Sequence, residues 1–227
     1  MISRRSFFTT TGMGAAAAVA ARANVALGAT RPAFAEQPPT SPADALSRLV
    51  DGNRRFVGKR LTSFDEDLDI LKQNTVDKQE PFAAVLSCAD SRVPVELVFD
   101  QSIGHVFVTR VAGNIASSEI IASLEYGAAV LGTQVIMVMG HGGCGAVKAA
   151  IGGKAVPGQI SALYRYIRPA IDQAGPDLDA TIKANAQIQA KLLRESSPVL
   201  SDLLQQGKLS IVASTYDLAS GKVTVLS

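Results

Sequence analysis

Gln134-Val135-Ile136-Met137-Val138-Met139-Gly140-His141-Gly142-Gly143-Cys144-Gly145 is the stretch on which the fold turns. Gln134 to Met139 is the most strand-like segment of the chain. A helical pattern begins at Ala146, so His141 and Cys144 fall where a strand ends and a helix starts. Upstream, Phe82 to Ser87 is a second apolar run, short enough for a strand buried on both faces. It too ends on chemistry, in Cys88-Ala89-Asp90-Ser91-Arg92. Outward from these two strands the pattern alternates. Strands are expected at Val106–Thr109, Leu209–Ser214 and Lys222–Leu226. Helices are expected from Pro42 to about Val57, Phe64–Gln73, Ser118–Leu131, Ala146–Ile151, Gln159–Ala174 and Leu178–Glu195. Ser41 and Pro42 open the first helix with a cap and a proline at the first helical position. Alternating strands and helices predict an α/β fold with a mostly parallel central sheet flanked by helices.

The chain has 227 residues, 47% of them hydrophobic, which suits one well-cored domain. Its net charge of +2 is misleading. Residues 1–35 hold Arg4, Arg5, Arg22 and Arg31 with no acid. Without those four the body carries 18 basic residues (22 less 4) against 20 acidic ones. That body offers no basic patch for nucleic acid. The opening Ser3-Arg4-Arg5-Ser6-Phe7-Phe8, a Gly/Ala-rich stretch and Ala33-Phe34-Ala35 read as a twin-arginine (Tat) export signal. Cleavage is expected after Ala35, giving a periplasmic product. The apolar run is too short, too weakly hydrophobic and interrupted by Arg22, so no stable membrane anchor is expected. A Pro-rich tether spans 36–42 and a single domain spans 43–227.

Cys88, Cys144, His105 and His141 are the only cysteines and histidines. Two soft thiolates and an imidazole suit zinc, and three protein ligands leave a fourth position open. Gly142 and Gly143 can take backbone angles closed to other residues, letting His141 and Cys144 point at one ion. Cys144 falls near a helix N-terminus, which favours its thiolate. The competing reading is a Cys88–Cys144 disulfide, which an oxidising compartment would allow. It gives no reason for Asp90, Arg92 or His141.

Cys88-x-Asp90-Ser91-Arg92 followed some fifty residues later by His141-x-x-Cys144-Gly145 resembles the signature of the β-class carbonic anhydrases. Arg92-Val93-Pro94-x-Glu96, Phe107-Val108-x-Arg110 and Asn114 extend the likeness. Arg110-Val111-Ala112-Gly113-Asn114 departs slightly from the family's usual Arg-Asn-x-Ala-Asn. The resemblance implies zinc held by Cys88, His141 and Cys144, with Asp90 and Arg92 as the catalytic dyad. Asp90 is also a possible fourth ligand in a closed state. It implies a CO₂ pocket lined by Gln79, Phe107, Ala112, Tyr126 and Gly145 at a dimer interface. The assembly would be a homodimer or tetramer, with N-terminal helices packing on the partner. The implied reaction is reversible hydration of CO₂ to bicarbonate and a proton by zinc-bound hydroxide. Hydrolysis of carbon disulfide or carbonyl sulfide, or zinc binding without catalysis, are the alternatives. Some relatives also bind bicarbonate at a second pocket built on a Trp, an Arg and a Tyr. Arg110 and Tyr216 match it here, but Val85 stands at the Trp position, so that inhibition is not expected. Glu125 reads as a helix-face charge and His105 as a turn or surface residue.

Overall fold

The computed structural model describes residues 38–63 and 75–226. The expected export signal over 1–35, the first residues of the expected tether and the helix expected over 64–73 lie outside the described residues. The elements run α1 (Pro42–Val57), β1 (Ala83–Ser87), α2 (Val95–Val98), β2 (Val106–Arg110), α3 (Ser118–Ala129) and β3 (Val135–His141). They continue with α4 (Gly145–Gly152), a 3₁₀ turn (Ile160–Leu163), α5 (Tyr164–Ala174), α6 (Leu178–Ser196), α7 (Pro198–Gln205), β4 (Ser210–Tyr216) and β5 (Val223–Leu226). α1 starts as its sequence dictates. Ser41 Oγ accepts the Asp44 N–H at 3.1 Å, which satisfies one of the helix's orphan donors.

The strands lie in the order β2-β1-β3-β4-β5, the first four parallel and β5 antiparallel at the edge. Successive strand residues point to opposite faces, and both faces are covered. Ala84, Leu86, Ile136 and Val138 pack under Leu124 of α3, Ala190 and Leu193 of α6 and Leu200 of α7. Ala83, Val85, Val135, Met137 and Met139 pack on the other side against Leu49 of α1 and Val95 and Val98 of α2. Two covered faces explain why β1 and β3 read as continuous apolar runs rather than alternating ones.

The chain leaves β1 toward β2 on one side and later places β3 on the other. The crevice between β1 and β3, beyond their carboxyl ends, is therefore the switch point at which such sheets build their sites. Both motif loops open there.

Several elements differ from expectation. The stretch 159–174 splits into a 3₁₀ turn and α5, and β4 runs two residues past Ser214. α7 was not expected at all, although Ser197 and Pro198 form a cap and first-turn proline like those of α1. Its eight residues give too little periodicity to stand out. Glu125 is more than a helix-face charge, since its Oε1 accepts the Ser197 hydroxyl at 2.5 Å and ties α3 to the start of α7. Among the described residues no helix is long and apolar enough to cross a membrane.

Candidate metal centre

β1 delivers Cys88 and β3 delivers His141, while Cys144 is the N-cap of α4. Gly143 makes the turn between the last two, with φ at 64°, a region open to glycine. Gly142 needs no such freedom, a correction to the expectation for that pair. All three side chains are buried, and their ligand atoms lie within 4.8 Å of one another. The sulfurs are 3.9 Å apart and both cysteines are free, which excludes the disulfide. Two Zn–S bonds of about 2.3 Å at a tetrahedral angle put sulfurs about 3.8 Å apart, so the spacing fits zinc. His141 supplies the second sign of fit. Its Nε2 is buried without a hydrogen-bond partner, while Nδ1 faces the Gly142 carbonyl at 3.0 Å. A buried nitrogen left bare on one side and anchored on the other is the arrangement of a metal ligand.

The electrostatics follow from crowding. The hydrogen bond from Cys144 pushes the Cys88 thiol down, helped by the Gly113 amide, and the neighbouring Cys88 sulfur pushes Cys144 up. Two sulfurs 3.9 Å apart repel as thiolates, and a divalent cation held between them would remove that conflict.

Asp90 stands beside this group with Oδ2 3.8 Å from His141 Nε2. Arg92 grips it bidentately, Nε to Oδ1 at 2.9 Å and Nη2 to Oδ2 at 2.8 Å, and donates its own backbone N–H to Oδ1. That clamp holds the Asp90 carboxyl well below the usual carboxylate range. Arg110, at the end of β2, donates Nε to the Cys88 carbonyl at 3.1 Å and Nη2 to the Asp90 carbonyl at 2.5 Å. The loop carrying ligand and dyad is therefore braced from the neighbouring strand.

The pocket residues expected from sequence are placed unevenly. Phe107 on β2 and Tyr126 on α3 meet with ring centroids 6.4 Å apart, tilted by 47°. Ala112 is half-buried in the loop after β2, and Gly145 opens α4 in an exposed position. Gln79 is exposed ahead of β1. Sequence reading missed Asn185 and Gln189 on α6, both fully buried polar side chains. The signal was available. They are an i,i+4 pair on the same apolar helix face as Ile182, Ala186 and Leu193, where an unexplained amide needs a partner.

Three donors of zinc-binding type at the switch point of a parallel sheet are the ligand count of a catalytic zinc centre, one short of the four that close a structural one. Known proteins sharpen this to a family. The carbonic anhydrase family pattern matches residues 83–223. Carbonic anhydrase 2 of Mycobacterium tuberculosis is 32% identical over 202 residues, covering 83% of this chain and 94% of its own. The structure of the β-carbonic anhydrase CcaA superposes with a TM-score of 0.64 at 28% identity, over 80% of this chain and 95% of that one. A tetrameric β-carbonic anhydrase of Sordaria macrospora shares the fold with a TM-score of 0.63 at 21% identity, over 70% and 91% of the two chains. The chain belongs to the carbonic anhydrase family, in its β class.

Proposed function

We infer that the chain catalyses the reversible hydration of CO₂ to bicarbonate and a proton, with zinc held by Cys88, His141 and Cys144. The observation that carries this reading is the buried Cys–His–Cys group with the Asp90–Arg92 pair set beside it. When bound, zinc supplies the Lewis acidity that makes water a nucleophile near neutral pH. The remaining work falls to side chains. Asp90, ionised and gripped by Arg92, can only accept at Oδ2. A reacting water must therefore donate there, which turns its lone pair toward the pocket. Phe107 and Tyr126 offer a nonpolar wall suited to CO₂, which has no net dipole. Arg110 keeps the Asp90 backbone from drifting toward the metal position.

In a single chain this wall is open. Tyr126 is 47% exposed and Gln79 is exposed. A second copy covering α3 and β2 would close the pocket and bring an amide to it, so the active form is a homodimer or tetramer. The Sordaria macrospora relatives are tetrameric. The chain is exported by the Tat route, its signal cleaved after Ala35 and its product periplasmic, a reading supported by Arg4-Arg5 and Ala33-Phe34-Ala35.

The test is stopped-flow CO₂ hydration on protein of known zinc content, with carbon disulfide and carbonyl sulfide run in parallel. CO₂ hydration is expected and the sulfur substrates should be inert. Cys144→Ala should lose zinc and activity together. Full activity in that variant would overturn the ligand assignment. Changing Arg4 and Arg5 to Lys should leave the protein in the cytoplasm, and a periplasmic form beginning at Met1 would refute cleavage.

A further inference from the structure

A chain of buried amides runs from α6 to the sulfur of Cys88. Gln189 Oε1 accepts the Ala116 N–H at 2.8 Å, and its Nε2 donates to the Tyr166 carbonyl at 3.0 Å and to Asn185 Oδ1 at 3.2 Å. Asn185 Nδ2 donates to the Gly113 carbonyl at 2.9 Å, and the Gly113 N–H donates to Cys88 Sγ at 3.3 Å. Asn185 is 0% exposed and Gln189 1%. Gly113 itself is in the left-handed region, φ 78°, and a Cβ there would sit 2.9 Å from Ile167 Cδ1. Both hydrogen-bonding groups of this one residue are thus committed, the carbonyl to Asn185 and the amide to the sulfur.

We propose that Asn185 is a positioning residue that sets the donor strength of Cys88, by holding the Gly113 peptide so that its N–H points at Sγ. This rests on the reading of Cys88 as a zinc ligand. A hydrogen bond donated to a thiolate withdraws electron density from the sulfur and weakens its donation to a metal. Two full-strength thiolates would cancel the charge of a divalent ion and blunt its Lewis acidity. Diverting part of one sulfur's charge into an amide restores some of that acidity without removing a ligand. Nothing about folding alone requires the amide chain to end on a sulfur. An apolar residue at 185 would fill the same space, and α6 already packs through Ala186, Ala190 and Leu193.

The test uses the whole protein with cobalt(II) exchanged for zinc, reading the thiolate-to-cobalt charge-transfer band. Asn185→Leu frees Gly113, leaves Cys88 more electron-rich and should move the band to lower energy at one metal per chain. Gln189→Leu, which removes only the brace on Asn185, should move it in the same direction and less far. A folded, fully loaded Asn185→Leu with an unmoved band overturns the proposal. An unmutated protein lacking any thiolate band overturns instead the assignment of Cys88 as a ligand. Should Asn185→Leu fail to fold, cadmium-113-loaded wild-type protein decides. Scalar coupling between the metal and the Gly113 amide proton across Sγ supports the proposal, and its absence while cysteine coordination is evident refutes it.

Discussion

Asp90 has one property the site cannot take from another residue, an acceptor that stays ionised. Arg92 occupies an edge of the carboxylate with two bonds and leaves Oδ2 turned toward His141. Asp90→Asn keeps the shape, replaces an obligatory acceptor with a group that also donates, and weakens the grip of Arg92. A loss of at least about 100-fold in kcat is expected, with zinc content unchanged, as measured by stopped-flow and metal analysis. Retained zinc separates this effect from that of Cys144→Ala. Arg110 supports a second expectation at this scale. Its guanidinium is already bonded to two carbonyls, Val85 is fully buried where a Trp would wall a bicarbonate pocket, and Tyr216 is 5% exposed. Raising bicarbonate at fixed pH should therefore slow hydration by ordinary product inhibition. A sigmoidal shut-off would contradict that account.

Helices and loops set how accurately these residues are aimed. Gly127 lets α3 lie against β2, since a Cβ there would meet the Phe107 ring at 3.2 Å. Gly127→Ala should displace that ring, raise KM for CO₂ severalfold more than it lowers kcat, and cost about 1 kcal/mol in a thermal melt. A stability loss with unchanged KM would make Phe107 an ordinary core aromatic. Asp100 does the same kind of work for α1. Its side chain is fully buried and accepts from Arg55 Nε, the Thr62 and Ser63 amides and the Thr62 hydroxyl. Burial pushes the carboxyl up, but Arg55 and the amides outweigh it and hold it below its ordinary value. A depressed folded pKa gives stability that is complete above the unfolded value of about 3.9 and is lost as pH falls through the folded one. Asp100→Ala should cost about 3 kcal/mol at pH 7 in urea unfolding, with the deficit shrinking toward pH 3. How far sequence could anticipate all this depended on where the physical information lay. β1, β3 and the two motif loops were legible because doubly buried strands and metal-ligand spacing are local patterns. Asn185, Gln189 and Asp100 were not, because each draws its role from partners more than 35 residues away, Asp100 with Thr62 and Asn185 with Gly113 among them. α7 had a local cap signal but was too short to be read.

Across the whole molecule the sheet separates two ends with different duties, and this decides how the reaction's proton leaves. The carboxyl ends of β1 and β3 carry the metal group, and His105 sits at the other end, where its carbonyl accepts the Phe82 N–H just before β1 and β2 begin. From His105 to Arg110, at the metal-bearing end, is five residues of strand, about 16 Å at 3.3 Å per residue. A side chain cannot bridge that distance, so His105 is no relay for a proton released near Asp90. His141 is the only other histidine, and its free nitrogen is the one facing the metal position. Asp90 is held well below the range in which it could take up a proton at neutral pH. Histidine is the side chain whose ordinary pKa lies in that range, and neither of the two serves here. The proton must therefore pass to solvent species, and a small buffer becomes a participant. Turnover should rise with imidazole concentration until another step limits it. kcat/KM, which ends with the attack on CO₂, should stay nearly flat. His105→Ala should leave both parameters within about twofold of the parent, since the change is made at the far end of the sheet. Stopped-flow rates across a buffer series decide the matter. A kcat independent of buffer from the lowest concentrations would mean that proton transfer to buffer does not limit turnover, and one that collapses in His105→Ala would place His105 on the proton's route; either result overturns this account.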